Sequence, residues 1–229
     1  MTPATTTTAP TIDLLVLGTD TQPSRMIAEA LGSALVGQPV ITDPALAAPA
    51  PDWDWAATLE QWRATVAQGP TAQRVVVTLL PEIGSRTPLH ELGLQEWIER
   101  CEFALARWVA ALGAAQQRCA DGGTIIAVVD RVAPLDSSGR SAETAVSDAV
   151  EALVRSLARS EGPRRVRVNL VTTPARLTTL PVIDPQPPLA AFPGSIEEEV
   201  VATCRMLLSD DAAALTGTVL HVDAGRSWR

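Results

Sequence analysis

Few side chains in this sequence could carry catalysis. It contains no tyrosine, and all 18 of its cationic residues are arginines. His90 and His221 lie far apart in the sequence, and the three cysteines have no paired spacing that would suit a disulfide or a metal site. The remaining candidates are carboxylates, of which Asp130 follows a predicted strand and Glu143 begins a predicted helix. Acidic residues are also common at such positions because they cap helices and favour the helix dipole, so a structural role stays open for both.

The turn after the first predicted strand, residues 12–17, is a second place where chemistry could occur. Gly18 is followed by the residues TDTQPS and then by a helix predicted over residues 25–35. A turn that binds a dinucleotide is rich in glycine, because the backbone must approach the pyrophosphate closely at the N-terminus of a helix. Pro23 also removes a backbone N–H donor from this turn. The pattern therefore favours a structural turn over a phosphate site.

The elements that must position these residues follow from hydrophobic periodicity. Residues 124–129 form an apolar run typical of a buried strand, residues 141–160 carry apolar positions at helical spacing, and residues 166–171 predict another strand. A strand, a helix and a strand make a βαβ unit, and hence a parallel sheet. Further strands are predicted over residues 40–42, 74–80 and 219–222, and further helices over residues 55–68, 94–119 and 195–208.

Length and composition limit the class of protein. With 229 residues, 46% of them hydrophobic, the chain is expected to form one domain over residues 11–229 after a disordered tail, residues 1–10. A net charge of −8 without a long basic run argues against nucleic-acid binding. No apolar stretch is long enough to span a membrane, and the N-terminus lacks the features of a signal peptide. We expect a cytoplasmic protein.

The stretch from residue 122 onwards resembles the C-terminal half of the short-chain dehydrogenases/reductases. The family's Arg-Val-Asn strand is present at residues 167–169, its Thr-Gly pair at residues 216–217, and its Val-Asp-Gly-Gly ending as VDAG at residues 222–225. The resemblance implies an α/β fold, a Rossmann-like doubly wound parallel sheet in a single domain. Too few residues are available for the family's third strand and its flanking helices, so this region is expected to be shortened.

The same resemblance places other residue types at the family's functional positions. The catalytic Asn, Ser, Tyr and Lys positions fall on Ala104, Asp130, Glu143 and Ser147. The second and third glycines of the cofactor motif fall on Gln22 and Ser24, so that only Gly18 remains. The resemblance therefore implies a degenerate member that lacks the catalytic tetrad and the glycine-rich motif, and we expect no cofactor and no metal.

Three functions fit this pattern. The first is a catalytically inactive subunit that pairs with an intact homologue, or with itself, through helices 94–119 and 141–160, which are the helices through which family members assemble. Trp97 and Trp108 are candidates for that contact, although both could pack inside the domain. An arginine placed at Trp108 or Val150 is expected to split the oligomer, because a charge buried without a partner is costly. In the second, Asp130 and Glu143, at family positions that face each other across the cleft, share a proton as an acid–base pair for cofactor-free isomerisation, cyclisation or dehydration. The third is a ligand-binding module acting alone.

Overall fold

The computed structural model describes residues 11–38, 55–80, 86–132, 137–174 and 195–225. The strands are β1 (Ile12–Thr19), β2 (Leu35–Gln38), β3 (Ala72–Thr78), β4 (Cys119–Arg131), β5 (Arg167–Pro174) and β6 (Val219–His221). The α-helices are α1 (Gln22–Leu31), α2 (Trp55–Ala67), α3 (Leu94–Trp97), α4 (Ala104–Arg118), α5 (Ser141–Ser160) and α6 (Ala202–Leu208).

The strands form one parallel sheet in the order β2-β1-β3-β4-β5-β6. Along β4, Ile125, Ala127 and Val129 belong to the core cluster beneath α4 and α5, whereas Ile126 and Val128 belong to the cluster beneath α1 and α6. Both faces of the sheet are thus covered by helices, which explains why the strands are continuous apolar runs. The predicted doubly wound, single-domain fold is confirmed.

Between β2 and β3 the structure describes α2 and the residues that join it to β3, and residues 39–54 lie outside the described residues. Among the described residues the sheet has six strands, with β2 as one edge and α2 leading into β3. The chain passes from β1 to β2 on one side and to β3 on the other, so the carboxyl ends of β1 and β3 flank the crevice where sheets of this type bind ligands.

Helix α1 begins at Gln22, before its predicted start at residue 25, and its end differs from the prediction as well. Helix α1 ends at Leu31, not at residue 35, because Gly32 adopts a left-handed conformation (φ 79°) and its N–H and that of Ser33 bond back to the carbonyls of Glu29 and Ala28. Strand β2 consequently begins at Leu35. The strand predicted over residues 40–42 and the predicted tail, residues 1–10, lie outside the described residues.

The predicted long helix over residues 94–119 contains a π-helical segment, Ile98–Phe103, between α3 and α4, and Cys119 already belongs to β4. A second π-helical segment, Ile196–Val201, precedes α6, and its N-cap Ser195 accepts a hydrogen bond from the Glu198 N–H at 3.0 Å, as its capping sequence predicts. π-Helical turns are rare and often lie at functional sites. No helix in the described ranges is both long enough and apolar enough to cross a bilayer.

Two residues of the Arg-Val-Asn motif, Arg167 and Asn169, bind β5 to residues 207–218, the segment that runs from the end of α6 to β6. The buried Asn169 donates to the Leu215 carbonyl at 2.9 Å and accepts from the Thr218 N–H at 3.1 Å. Arg167 donates to the carbonyls of Leu207 and Ala212 at 3.0 and 3.1 Å. These bonds satisfy backbone groups between α6 and β6, so both side chains have a structural role.

Candidate functional site

The turn between β1 and α1 is filled by its own hydroxyl groups. The Thr21 hydroxyl donates to the Leu80 carbonyl at 2.8 Å, and the Ser24 hydroxyl donates to the Thr78 carbonyl at 3.0 Å. The Thr19 hydroxyl lies 3.3 Å and 3.2 Å from those of Thr21 and Ser24. All three side chains are buried, so these three hydroxyl groups point into the protein towards β3 and the residues that follow it, whereas Asp20 and Gln22 of the same turn are exposed.

Gly18 is required by packing within the sheet. A Cβ atom at this position would lie 2.2 Å from the backbone oxygen of Thr78, a distance that no real Cβ tolerates. The absence of a side chain therefore lets β1 and β3 pair closely. The glycine that the resemblance assigns to the cofactor motif has a sufficient structural explanation.

The end of β2 is also occupied by protein contacts. Gln38 lies about twenty residues beyond Gly18, where a dinucleotide-binding fold places the acidic residue that binds the ribose. Its side-chain amide donates to the Arg107 carbonyl at 3.0 Å, and its side-chain oxygen accepts from Arg107 Nε at 3.3 Å. Burial lowers the pKa of Arg107 to about 10. The pair fixes β2 against α4.

Asp130 lies near the end of β4, next to Thr173 of β5 in the sheet register. Both side chains are buried, and neither Asp130 carboxylate oxygen nor the Thr173 hydroxyl has a hydrogen-bond partner among the described residues. Burial raises the pKa of Asp130 to about 8; the Arg140 guanidinium lowers this pKa and the Glu143 carboxylate raises it. At neutral pH, Asp130 is therefore largely protonated.

Glu143, in the first turn of α5, is held by an arginine of the π-helical segment. Arg100 donates to Glu143 Oε1 from Nε at 2.9 Å and from Nη2 at 2.6 Å, and it also pairs with Glu96. The hydrogen bond from Arg100 lowers the pKa of Glu96, with a second contribution from Thr87. Glu143 Oε2 is buried without a partner in the described parts of the chain. Asp130 and Glu143 thus interact electrostatically, but no hydrogen bond joins them.

The other two tetrad positions bring no free functional group to this region. The Ser147 side chain is buried within α5, and its hydroxyl donates to the Thr144 carbonyl at 3.0 Å. Ala104 is the first residue of α4.

The two histidines do not lie at the Asp130 end of β4 in a group with its carboxylates. His90 is exposed beside Glu91, and His221 Nδ1 lies 2.9 Å from the Thr172 hydroxyl. No cluster of His, Cys, Asp and Glu side chains in the described ranges has the arrangement of a metal site.

The helices proposed for assembly present a narrower apolar face than the sequence suggests. Trp108 and Val150 are buried in the core, and Trp97 packs against it, so neither tryptophan is an exposed interface residue. Val109 on α4 is 47% exposed. On these two helices, which pack beside each other, three leucines are only partly buried, and we call these leucines and Val109 the α4–α5 face: Leu105, Val109, Leu153 and Leu157.

A cleft of about 460 Å³ lies at the opposite, amino-terminal end of the strands. Of its arginines, Arg74 donates to both carboxylate oxygens of Asp13 at 3.1 Å, and Arg167 is bound to the backbone carbonyls described above. Both guanidinium groups are already paired within the protein, whereas the third arginine that lines the cleft, Arg165, is exposed.

Arg100, Arg140 and Thr173 are important in this region and were not singled out from the sequence. The four-residue spacing of Glu96 and Arg100 on one helix indicates their ion pair, but no local pattern indicates that Arg100 also binds Glu143. Arg140 and Thr173 acquire their positions only when α5 and β5 are placed beside β4.

Comparison with known proteins identifies the family. The profile of the family described as enoyl-(acyl carrier protein) reductase matches residues 75–227. Among solved structures, a short-chain dehydrogenase/reductase from Serratia marcescens is 21% identical and aligns over 94% of this chain and 97% of its own, with a TM-score of 0.63. A glucose/ribitol dehydrogenase of the same family from Brucella melitensis is 19% identical over 93% and 95% of the two chains, with a TM-score of 0.62. No curated protein sequence matches the chain.

The matched profile covers more than half of the chain, and the related structures share its sheet and helices along almost the whole length. This protein belongs to the short-chain dehydrogenase/reductase family.

Proposed function

We propose that this chain performs no nicotinamide-dependent reaction by itself and serves as a subunit, paired with an intact family member or with a second copy. The observation that carries the first part is the turn after β1, in which Thr19, Thr21 and Ser24 direct their hydroxyls into the protein. The second part is supported by the α4–α5 face.

The residues at the switch point do not fit a dinucleotide. A pyrophosphate needs free backbone N–H groups and close approach at the N-terminus of α1. Gln22 has a side chain at this end of the helix, and Pro23 offers no N–H donor. Gln38 uses its side chain to hold Arg107. The ribose position is thus engaged by a protein contact, and the phosphate turn lacks one N–H donor and carries a side chain at Gln22, which supports the proposal that no dinucleotide binds.

The tetrad positions support the same proposal. The family position of the catalytic Tyr is Glu143, whose charge is paired with Arg100, and that of the Lys is Ser147, which is buried inside α5. Neither side chain can supply the proton donor and the neighbouring ammonium that the family's reaction uses. The proposal therefore includes the loss of the family's catalytic tetrad in this chain.

The subunit role is tested with Val109→Arg. A charge placed in an apolar contact without a partner costs several kcal/mol, on the order of 3, so we expect this variant to elute as a 24.2 kDa monomer while the wild type is oligomeric, alone or with an intact homologue. The measurement is size-exclusion chromatography with light scattering. In the same preparation, calorimetric titration with NADH and NADPH should give no dissociation constant below about 10 μM.

The matched control is Ala64→Arg, which places the same charge on the exposed surface of α2 and should leave assembly unchanged. A wild type that is monomeric both alone and with the homologue contradicts the subunit role. Tight binding of either dinucleotide contradicts the cofactor part, independently of assembly.

A cofactor-free acid–base enzyme is the second candidate, favoured by the raised pKa of Asp130. A carboxyl group that titrates near neutral pH can both accept and return a proton. In this case Asp130→Asn and Glu143→Gln should each lower turnover in an isomerase or dehydratase screen by about 10²-fold or more. Activity retained in both variants excludes this candidate. Against it, Arg100 already neutralises Glu143.

A further inference from the structure

The cleft at the amino-terminal ends of the strands is lined by three arginines and two aspartates: Arg74, Arg165, Arg167, Asp13 and Asp210. The chain as a whole has a net charge of −8, so one excess positive charge in this cleft is a local feature, and it attracts anions. The volume of about 460 Å³ lies in the range of sites that hold small molecules. No residue of the α4–α5 face lines the cleft.

Two of these arginines still offer positive charge to the cleft. Arg74 donates to Asp13 through Nη1 alone, and a guanidinium group has five N–H donors, so its Nε and Nη2 stay available. Arg167 binds backbone carbonyls, which carry no net charge, and Asp210 acts on it without a direct bond. Arg74 can therefore donate to a ligand, and Arg167 adds to the attraction.

The side chain of Arg165 is exposed and forms no ion pair or hydrogen bond with another residue in the described ranges. This residue follows the single 3-10 turn Gly162–Arg164, and its backbone N–H donates to the Gly162 carbonyl at 2.9 Å. The turn therefore fixes the backbone of Arg165 at the wall of the cleft and leaves the whole guanidinium group for a ligand.

The backbone of Arg165 is strained. Its φ of 57° and ψ of 26° are left-handed, a conformation that destabilises any residue with a Cβ atom relative to glycine. Seven described residues have a positive φ, and five of them are glycines, so this chain usually places glycine where such a conformation is needed. Strained residues of this kind concentrate at ligand sites. The arginine is explained by what its guanidinium group binds.

We propose that this cleft binds a small molecule through one phosphate or carboxylate group, which accepts hydrogen bonds from Arg165 and Arg74. The planar fork of a guanidinium group matches two oxygens of such an anion. Asp13 and Asp210 repel further negative charge, so we expect a ligand with one anionic group and not a polyanion. The site needs no dinucleotide and no second subunit, and it goes beyond the proposed role in assembly.

Binding is measured on the full chain by calorimetry and by NMR shifts of the backbone amides, with inorganic phosphate and acetate as separate probes. Sodium chloride keeps the ionic strength constant, because salt screens exposed charges. We expect at least one probe to bind with a dissociation constant below about 5 mM, and the amides of residues 122–124 and 165–167 to shift. The probe that binds more tightly identifies the anionic group. Failure of both probes to bind overturns the proposal.

Arg165→Gln removes the charge and the fork, so affinity for the bound probe should fall about tenfold or more. The matched control is Arg155→Gln, which removes an exposed arginine of α5 that is paired with Glu151. It changes the net charge by the same amount and should keep the affinity. Equal affinity in Arg165→Gln, or an equal loss in Arg155→Gln, would contradict the proposed site.

Arg165→Asn separates ligand binding from folding. Asparagine tolerates the left-handed conformation better than arginine, so the variant without a ligand should have a Tm no lower than that of the wild type. Its affinity for the probe should fall as in Arg165→Gln. A clearly lower Tm would show that the arginine is kept for stability, and would overturn the explanation of its strain by ligand binding.

Discussion

Asp130→Asn is expected to stabilise the protein more strongly as the pH rises. The pKa of Asp130 is about 8 in the folded protein, against 3.8 for the ordinary value, because its carboxyl group is buried. Between these two values the folded chain keeps a proton that the unfolded chain has released. The wild type therefore loses stability with rising pH over this window, by about 1.4 kcal/mol per pH unit, and the loss levels off above about pH 8.

The expected difference is measured as the free energy of unfolding in urea at about pH 5.5 and about pH 8. The advantage of Asp130→Asn over the wild type should grow by about 3 kcal/mol between the two conditions. The amide is equally buried at both pH values, so the change with pH isolates the ionisation of Asp130. Asp211→Asn, an exposed aspartate, serves as the control and should show no comparable change. A constant difference between Asp130→Asn and the wild type would mean that Asp130 titrates in its usual range.

Gly18→Ala is expected to destabilise the fold by about 3 kcal/mol or more, because the new Cβ would lie 2.2 Å from the Thr78 carbonyl oxygen. That oxygen is part of β3, so relief requires β1 and β3 to separate within the sheet. Thermal and urea unfolding measure the effect, and a variant that does not fold also agrees with the prediction.

The control is a glycine on the neighbouring strand. Gly37 of β2 is the register partner of Gly18, and a Cβ there would meet only the Asp20 Cβ at 3.5 Å, an ordinary contact. Gly37→Ala should therefore change the stability by less than about 1 kcal/mol. Unchanged stability in Gly18→Ala would show that packing does not require this glycine, and its assignment to a cofactor motif would regain weight.

Gly18 and the Arg-Val-Asn strand show that a residue that matches a family motif does not by itself define a chemical role. Gly18 matches the first glycine of the family's cofactor turn, yet the contact that excludes a side chain is with the neighbouring strand. The Arg-Val-Asn strand matches the family as well, and Arg167 and Asn169 bind backbone groups of the C-terminal segments. In both cases the retained residue is explained by the fold.

The sequence by itself determined the fold class and the main elements. Helix α5 begins and ends where its apolar spacing predicts, and β1, β3, β4 and β5 overlap the predicted apolar runs, because strands buried on both faces and long amphipathic helices leave clear periodicities. The sequence also showed which residue types stand at Ala104, Asp130, Glu143 and Ser147. Short elements were harder: β2 has four residues and no pattern of its own, and its position follows from the Gly32 cap.

Only the tertiary structure decided how the candidate residues are used. Nothing in the sequence pairs Arg100 with Glu143. Arg100 lies in the π-helical segment before α4 and Glu143 lies in the first turn of α5, so their ion pair forms only when these two helices pack together. The burial of Trp108 and Val150, which narrows the assembly surface to the α4–α5 face, depends on how the helices rotate against the sheet. The raised pKa of Asp130 and the absence of a partner for Thr173 among the described residues likewise arise from packing between β4, β5 and α5. Charge, burial and pairing at a site are properties of several segments together, so no single stretch of sequence contains them.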